Sequence, residues 1–300
     1  MKKYWLSQLL CVGLLTGTIT MALERPRPSI NQDKIDVIKR EMNFPQFIRQ
    51  LPPDKRVILD WASLLSGFKD AEGTTWRTRA DGCSYSRRAE HGALDTRLRS
   101  DKGNIQIVVN SLNQGQEDAI DWALWDATNS NAPFVPRKYE PQCFSTLCLI
   151  PRQQSTVEFM SIVYGNIAIN LTQYGSGNDV RPVARYLQSA MEKAVAANPE
   201  QRLPPRPKVV YTVSPTRIKA GETFTVTAKF SAGHQRDPRS FDVANELLSS
   251  NIEYEEDLGG DVYKFTAKAA GQGTVAFSLL DKKTLWVFTD TVTVDIDPAQ

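Results

Sequence analysis

Arginines are concentrated between residues 77 and 99, and their side chains are well suited to binding a charged group. The segment carries six arginines and three acidic residues: Arg77, Arg79, Arg87, Arg88, Arg97 and Arg99 with Asp81, Glu90 and Asp95. Alternating strands place several of these side chains on one face of a sheet, and planar guanidinium groups suit carboxylates or phosphates. We therefore predict contacts with an anionic partner at Arg87, Arg88, Arg97 and Arg99. The alternative is a solvated sheet face held by ordinary ion pairs.

Three cysteines, Cys83, Cys143 and Cys148, follow the N-terminal apolar segment. In an oxidising compartment they predict one disulfide and one remaining thiol. If residues 143 to 148 formed one extended strand, the two sulfurs would lie about 16 Å apart and could not bond. A bend after Pro141 removes that obstacle, and we predict the pair Cys143 and Cys148, with Cys83 paired to either as the alternative. Cys83 among arginines could also be a nucleophile, although a structural or remaining unpaired cysteine is the simpler interpretation.

No catalytic or cofactor motif is found in the sequence. His91 and His234 have no second metal ligand at helical or turn spacing, so no metal is predicted. Gly175-Ser176-Gly177 lacks the Gly-x-Ser-x-Gly pattern of a nucleophile elbow, and Gly271-x-Gly273 lacks the third glycine of a dinucleotide-binding loop. The acidic run from Glu253 to Asp257 points to alternate faces of a strand and is poorly arranged for acid-base catalysis. These observations predict a protein without a cofactor.

Trp122 and Trp125 lie three residues apart, on one face of a predicted helix. Two aromatic rings at this spacing could stack on a sugar. Together with the neighbouring Ile120 and Leu124 they also fit the core side of the helix, which is the simpler interpretation.

Residues 1–22 have the features of a secretory signal peptide: Lys2 and Lys3, then an uncharged apolar stretch, then small residues at the cleavage positions. An uncleaved membrane anchor is the alternative. Cleavage predicts a periplasmic or secreted protein with no stable membrane insertion. Removing Lys2 and Lys3 from the 36 basic residues leaves 34, against 34 acidic ones. A neutral mature chain argues against binding to nucleic acid.

An extended leader is predicted over residues 23–33, and an α+β domain over 34–197. Apolar residues at helical spacing predict helices over 33–47 and 54–68. Beyond them, Gly103-Asn104-Ile105-Gln106-Ile107 is echoed by Gly165-Asn166-Ile167-Ala168-Ile169, and each string lies between a strand and a helix. We therefore predict a duplicated βββα unit, which forms an antiparallel sheet with helices covering one face.

A proline-rich linker is predicted over residues 198–208, where four prolines favour an extended spacer. Residues 209–298 then alternate between apolar and polar over several short strands separated by glycine-containing turns. About ninety residues of this pattern predict a β-sandwich.

The strings Ser214-Pro215, Ala220-Gly221-Glu222-Thr223 and the run from Ala269 to Val275 resemble bacterial immunoglobulin-like modules, and the resemblance covers the last third of the chain. It implies an immunoglobulin-like sandwich used for recognition. The strand pattern is also similar to chagasin-type inhibitors of cysteine peptidases. Their Asn-Pro-Thr-Thr-Gly and Arg-Pro-Trp loops are matched here only by Ser214-Pro215-Thr216 and Leu285-Trp286, and this departure argues against peptidase inhibition.

Together these features predict an exported, non-catalytic binding protein of the bacterial envelope with a protein partner. One form of this function is an inhibitor or immunity protein that acts against a secreted enzyme or toxin. Two alternatives stay open at this point: a cell-envelope enzyme or accessory subunit with an unrecognised site, and a carbohydrate-binding or adhesion module.

Overall fold

The computed structural model of the protein describes residues 32–49, 54–78, 84–88, 91–129, 137–139, 144–151, 156–174, 179–231 and 241–299. The predicted signal peptide, residues 23–31 of the predicted leader, His234 and Gly175-Ser176-Gly177 lie outside these residues, as do Cys83 and Cys143. Gln32 and Asp33 are helical, so the prediction of an extended leader is wrong at its last two residues. Three short helices come first: α1 (Gln32–Glu41), α2 (Phe44–Arg49) and α3 (Trp61–Leu65). No helix in the described part of the chain is both long and apolar enough to cross a membrane.

Residues 54–60 are not helical, so the prediction of a helix over 54–68 is wrong except at α3. Their backbone groups bond to distant parts of the chain instead. The Val57 N–H donates to Asn166 Oδ1 (2.7 Å), and the Lys55 carbonyl accepts from the Asn166 N–H (3.1 Å). The Arg56 N–H donates to Gln201 Oε1 (2.6 Å). Tertiary hydrogen bonds therefore override the local helical pattern here.

Nine strands form one antiparallel sheet, which two longer helices accompany. The strands are β1 (Phe68–Lys69), β2 (Thr75–Thr78), β3 (Ser84–Arg88), β4 (His91–Ser100), β5 (Gly103–Leu112), β6 (Arg137–Tyr139), β7 (Leu147–Pro151), β8 (Phe159–Tyr164) and β9 (Ile167–Tyr174). The helices are α4 (Gln116–Asn129) and α5 (Arg181–Ala197). The order of the strands across the sheet is β1-β2-β4-β5-β9-β8-β7-β6, and β3 also pairs with β4. The two echoed strands, β5 and β9, are direct neighbours at the centre.

The two echoed strands pack alike, but the helices that follow them do not. Ile105, Ile107, Ile167 and Ile169 are fully buried in one core, on the face that α5 covers. Ala168, which points the other way, belongs to a second core with Ile120 and the rest of the buried side of α4. The prediction that the helices cover one face is therefore wrong, because α4 and α5 pack on opposite faces.

The C-terminal part of the chain contains two four-stranded sheets that share one hydrophobic core. Its strands are β10 (Val209–Ser214), β11 (Ile218–Lys219), β12 (Thr223–Phe230), β13 (Phe241–Leu247), β14 (Ile252–Asp257), β15 (Val262–Ala267), β16 (Gly271–Asp281) and β17 (Val287–Asp297). The sheet orders are β10-β12-β15-β14 and β11-β17-β16-β13. Phe224 and Phe265 of the first sheet meet Phe277 and Val294 of the second. Apart from β11, which pairs with β17 in parallel, these strands are antiparallel, and the prediction of a β-rich protein with antiparallel sheets is confirmed.

The two parts of the chain are joined through the turn between β16 and β17. Leu285 in this turn is fully buried in the same core as the central isoleucines of the nine-stranded sheet. The Lys283 carbonyl accepts a hydrogen bond from the Trp61 N–H (2.9 Å). Asn113 bonds to Val287 twice: Nδ2 donates to its carbonyl, and Oδ1 accepts from its N–H (3.4 Å).

The proline-rich segment 198–208 packs against the rest of the protein. Pro204 and Pro207 are buried. Between them, Arg206 donates to the Thr289 carbonyl (2.8 Å) and forms an ion pair with Asp290. The extended conformation that the prolines favour is thus held against β17 by these contacts.

Cys148 is disulfide-bonded and fully buried on β7. Its partner lies outside the described residues, so the pairing with Cys143 stays a prediction.

Candidate anion-binding face

Three arginines come together where β2 meets β4. Arg77 and Arg99 are direct partners in the register of these strands, and Arg97 lies two residues further along β4 on the same face. Side chains directly opposite each other in an antiparallel pair have Cβ atoms about 4.5–5.5 Å apart. All three are exposed. We call this surface, together with Gln106 and Tyr174, the arginine face.

The turn between β1 and β2 holds Arg77 in place. Asp70 is 7% exposed, and its carboxylate accepts from Trp76 Nε1 (2.8 Å) and from the Thr74 N–H (3.0 Å). Trp76, the neighbour of Arg77, is buried on the opposite face of the sheet, so Arg77 points outward beside Arg99. These bonds stabilise the hairpin of β1 and β2, since a short two-stranded hairpin is only marginally stable by itself.

A hydrogen-bonded network on β4, β5 and β9 borders the arginines. Gln106 Nε2 donates to both carboxylate oxygens of Asp95 (2.9 Å each), and its Oε1 accepts from the Tyr174 hydroxyl (2.6 Å). The Tyr174 ring lies below the Arg97 guanidinium, 5.4 Å from Cζ to the ring centroid. Asp95 is therefore bonded to a neutral amide, and Arg97 is placed by an aromatic ring.

The arginine face has an excess of positive charge. In the described part of the chain, Arg77, Arg97 and Arg99 make no ion pair with a carboxylate. Like charges directly opposite each other destabilise an antiparallel pair. Two guanidinium groups at this spacing can instead share the oxygens of carboxylates or phosphates on a ligand, as charge-assisted hydrogen bonds.

A lysine outside the face is already paired. Lys102 Nζ lies 3.0 Å from Glu72 Oε2, and this hydrogen-bonded carboxylate raises the pKa of Lys102. The ion pair joins the β4–β5 turn to the β1–β2 turn. Lys102 is consequently a less available cation than the three arginines.

The structure brings together only part of the predicted site. Arg97 and Arg99 share the arginine face, whereas Arg87 and Arg88 lie on β3, opposite Gly92 and His91. Arg97 lies six residues after His91 on β4, which is about 20 Å along a strand. The side chains of Arg87 and Arg88 lie outside the described residues. Gln106 and Tyr174 could not be identified from the sequence, because their place beside Arg97 follows from the pairing of β5 with β9.

His91 and the two tryptophans of α4 form a packed group on the same side of the sheet as the arginine face, at the end that α4 covers. His91 is 8% exposed, and its Nε2 lies 2.9 Å from Asn110 Oδ1. Trp122 meets the imidazole edge-on, with ring centroids 4.2 Å apart, and Trp125 lies 5.0 Å from Trp122. Both tryptophans are half-buried. They fit the core interpretation better than an open sugar platform. Within the described ranges, no group of three or more histidine, cysteine, aspartate or glutamate side chains could hold a metal ion.

The protein is therefore built mainly of antiparallel sheets, and one sheet carries a cationic face. No protein-family model and no curated protein matches the chain. Among solved structures, a protein described as a polysaccharide lyase aligns with 73% of this chain and 36% of its own length, at 7% sequence identity and a TM-score of 0.21. The chain therefore spans about a third of the length of that protein. A TM-score this low supports no conclusion about the fold or the activity of this chain.

Proposed function

We propose that this protein is an exported binding protein that recognises an acidic segment of a protein partner through its arginine face. One observation carries the proposal: Arg77 and Arg99 are directly opposed, with Arg97 beside them, and none of the three makes an ion pair with a carboxylate among the described residues. Carboxylates carried by a partner would remove the repulsion and accept bidentate hydrogen bonds. Export rests on the signal-peptide features of residues 1–22.

The proposed architecture is an α+β domain followed by an immunoglobulin-like sandwich. Constant-type immunoglobulin domains have sheet orders A-B-E-D and C-F-G. If β10, β12, β13, β14, β15, β16 and β17 are lettered A to G in chain order, the sheets observed here have these same orders, with β11 added beside G. This agreement supports the resemblance noted in the sequence. Folds of this class serve recognition in many unrelated proteins.

The form of this function in which the sandwich inhibits a cysteine peptidase has little physical support. Trp286 is 6% exposed and Leu285 is fully buried, both at the junction with the nine-stranded sheet. The pair that corresponds to the Arg-Pro-Trp loop of chagasin-type inhibitors is therefore not on an open loop. The arginine face is the better candidate for contact with a partner.

A fluorescein-labelled peptide of alternating glutamate and glycine, measured by fluorescence anisotropy at low salt, tests the proposal. The double substitution Arg97→Gln with Arg99→Gln should weaken binding at least about tenfold, since two charge-assisted contacts of roughly 1 kcal/mol or more are lost. The salt dependence of binding should also decrease, because fewer charges are neutralised.

Arg217 and Lys229 provide the matched control. Both are exposed on the sandwich, and the double substitution Arg217→Gln with Lys229→Gln changes the net charge by the same amount. This variant should bind the peptide within about twofold of the unmodified protein, a difference worth less than about 0.5 kcal/mol. If both double variants weaken binding equally, or if neither does, the arginine face does not bind acidic segments.

A further inference from the structure

A cleft opens along one side of the sandwich, where the two sheets part. β13 is the edge strand of one sheet and β14 the edge strand of the other, and the two do not pair with each other. The cleft between them has a volume of about 440 Å³, within the range of roughly 300–1,000 Å³ typical of ligand sites. Its lining includes Val243, Asn245, Leu247, Tyr254, Asp257 and Tyr263.

The backbone of β13 offers an unpaired edge to this cleft. The Leu248 N–H donates to the Thr274 carbonyl (3.0 Å), so the even-numbered residues of β13 direct their backbone groups toward β16. The odd-numbered residues therefore face the cleft, and the Val243 carbonyl there accepts from the Tyr263 hydroxyl (3.3 Å). The N–H of Asn245 lies in the middle of this edge.

The facing strand β14 is protected against pairing, unlike β13. Its register with β15 shifts between Tyr254 and Glu256, and all its residues after Ile252 are exposed. A bulge and consecutive charges are the devices by which proteins prevent an edge from accepting another strand. An added strand in this cleft would therefore pair with β13 and lie opposite the charged side of β14.

The charges along β14 determine which peptide fits. Glu253 forms an ion pair with Lys268, and Glu256 forms one with Lys264 (3.0 Å). Glu255 and Asp257 make no ion pair with any cation that the structure describes. The Tyr254 ring, 39% exposed, directly precedes Glu255 in the sequence and supplies a surface for a cation.

We propose that the cleft binds an extended cationic segment of a partner protein, which adds to β13 as a further strand and places lysine or arginine side chains against Tyr254 and Asp257. Backbone hydrogen bonds to the odd-numbered residues of β13 hold the segment, as in other cases of strand addition. Its alternate apolar side chains contact Val243 and Leu247. This site is separate from the arginine face and takes a ligand of opposite charge.

A fluorescein-labelled peptide of alternating lysine and valine is the probe, and its anisotropy is measured at low salt with the full chain. Asn245→Pro removes the N–H that faces the cleft without removing a bond to β16, a position at which an edge strand accepts proline. Asn245→Ala is the matched control, which keeps the N–H. We expect Asn245→Pro to weaken binding at least about tenfold and Asn245→Ala to change it less than about twofold.

A second comparison does not depend on the folding of a variant. The same peptide with N-methyl groups on alternate amides should bind the unmodified protein at least about tenfold more weakly, because it cannot complete the strand pairing. The corresponding glutamate-valine peptide can bind only at the arginine face, so Asn245→Pro should leave its binding within about twofold of the unmodified protein. Asp257→Asn should weaken binding of the lysine-valine peptide by about threefold or more, and Asp295→Asn, an equal change of charge on β17, should not.

Three results would overturn the proposal. The first is equal binding by Asn245→Pro and Asn245→Ala, with N-methylation of the peptide also without effect. The second is an equal loss of binding of the lysine and glutamate peptides in Asn245→Pro. The third is reversible self-association of the protein in analytical ultracentrifugation that Asn245→Pro abolishes, because the edge would then pair with a second copy of this chain.

Discussion

Gly92 should be indispensable for the joining of the two parts of the chain. A Cβ atom added there would lie 2.2 Å from the Leu285 carbonyl oxygen and 2.5 Å from Leu280 Cδ1. Because the nearest atom belongs to the backbone, no side-chain rotation can relieve the contact. Gly92→Ala is therefore expected to push the β16–β17 turn away from the nine-stranded sheet.

The size of the effect follows from the distances. Ordinary contact begins at 3.4 Å, so the Leu285 carbonyl would have to retreat by about 1.2 Å. A turn that moves by this amount lengthens the bond from Trp61 to Lys283, now 2.9 Å, to about 4 Å, beyond hydrogen-bonding distance. The two bonds between Asn113 and Val287 move with it. Three bonds at about 1 kcal/mol each give a loss of about 3 kcal/mol in the free energy of unfolding.

Urea denaturation followed by tryptophan fluorescence and far-UV circular dichroism measures this loss. The unmodified protein should unfold in one transition, because Leu285 belongs to the core of the nine-stranded sheet. Gly67→Ala is the matched control, since its Cβ would lie at an ordinary 3.8 Å from the Trp76 carbonyl oxygen. If Gly92→Ala unfolds within about 0.5 kcal/mol of the unmodified protein, the reasoning about the junction is refuted.

Two further predictions concern buried polar contacts. Asn166→Ala should lower the free energy of unfolding, measured by urea denaturation, by about 1–3 kcal/mol, because it leaves the buried Val57 N–H without its acceptor. Asn104→Ala, at the exposed equivalent position of the first string, should lower it by less than about 0.5 kcal/mol. Equal losses in the two variants would contradict this prediction. Burial, reinforced by Asp290, raises the pKa of Tyr211, whose hydroxyl donates to Asp290 Oδ2 (3.0 Å). Because the pKa of Tyr211 is higher in the folded than in the unfolded protein, Tyr211 contributes to the free energy of unfolding at pH below about 10. This contribution is lost as the pH rises further. The free energy of unfolding should fall more steeply above pH 10 in the unmodified protein than in Tyr211→Phe, and equal slopes would contradict the assignment.

The central strands of the nine-stranded sheet were predictable because their pattern is local. In each echoed string the two isoleucines are two residues apart, and all four are buried on one face. The side on which each helix packs was not predictable, because it depends on how the chain turns after Leu112 and after Tyr174. The partners of residues 54–60 were also out of reach, since Asn166 lies 109 residues away from Val57.

The arginine face combines both kinds of information. That Arg97 and Arg99 share a face follows from the alternation of one strand, and this was predicted. That Arg77 rather than Arg87 or Arg88 joins them follows from the register of β2 with β4. The contact of Tyr174 with Gln106, 68 residues away, requires the central pairing of β5 with β9.

The sheet order also bears on the disulfide, which sequence spacing left open. Cys83 directly precedes β3, and Cys148 lies on β7. Five strand spacings separate β3 from β7 through β4, β5, β9 and β8, or about 24 Å along the sheet. Disulfide-bonded cysteines have Cα atoms less than about 7 Å apart. Because Cys143 is only five residues from Cys148 in the chain, the order of the strands favours it as the partner of Cys148.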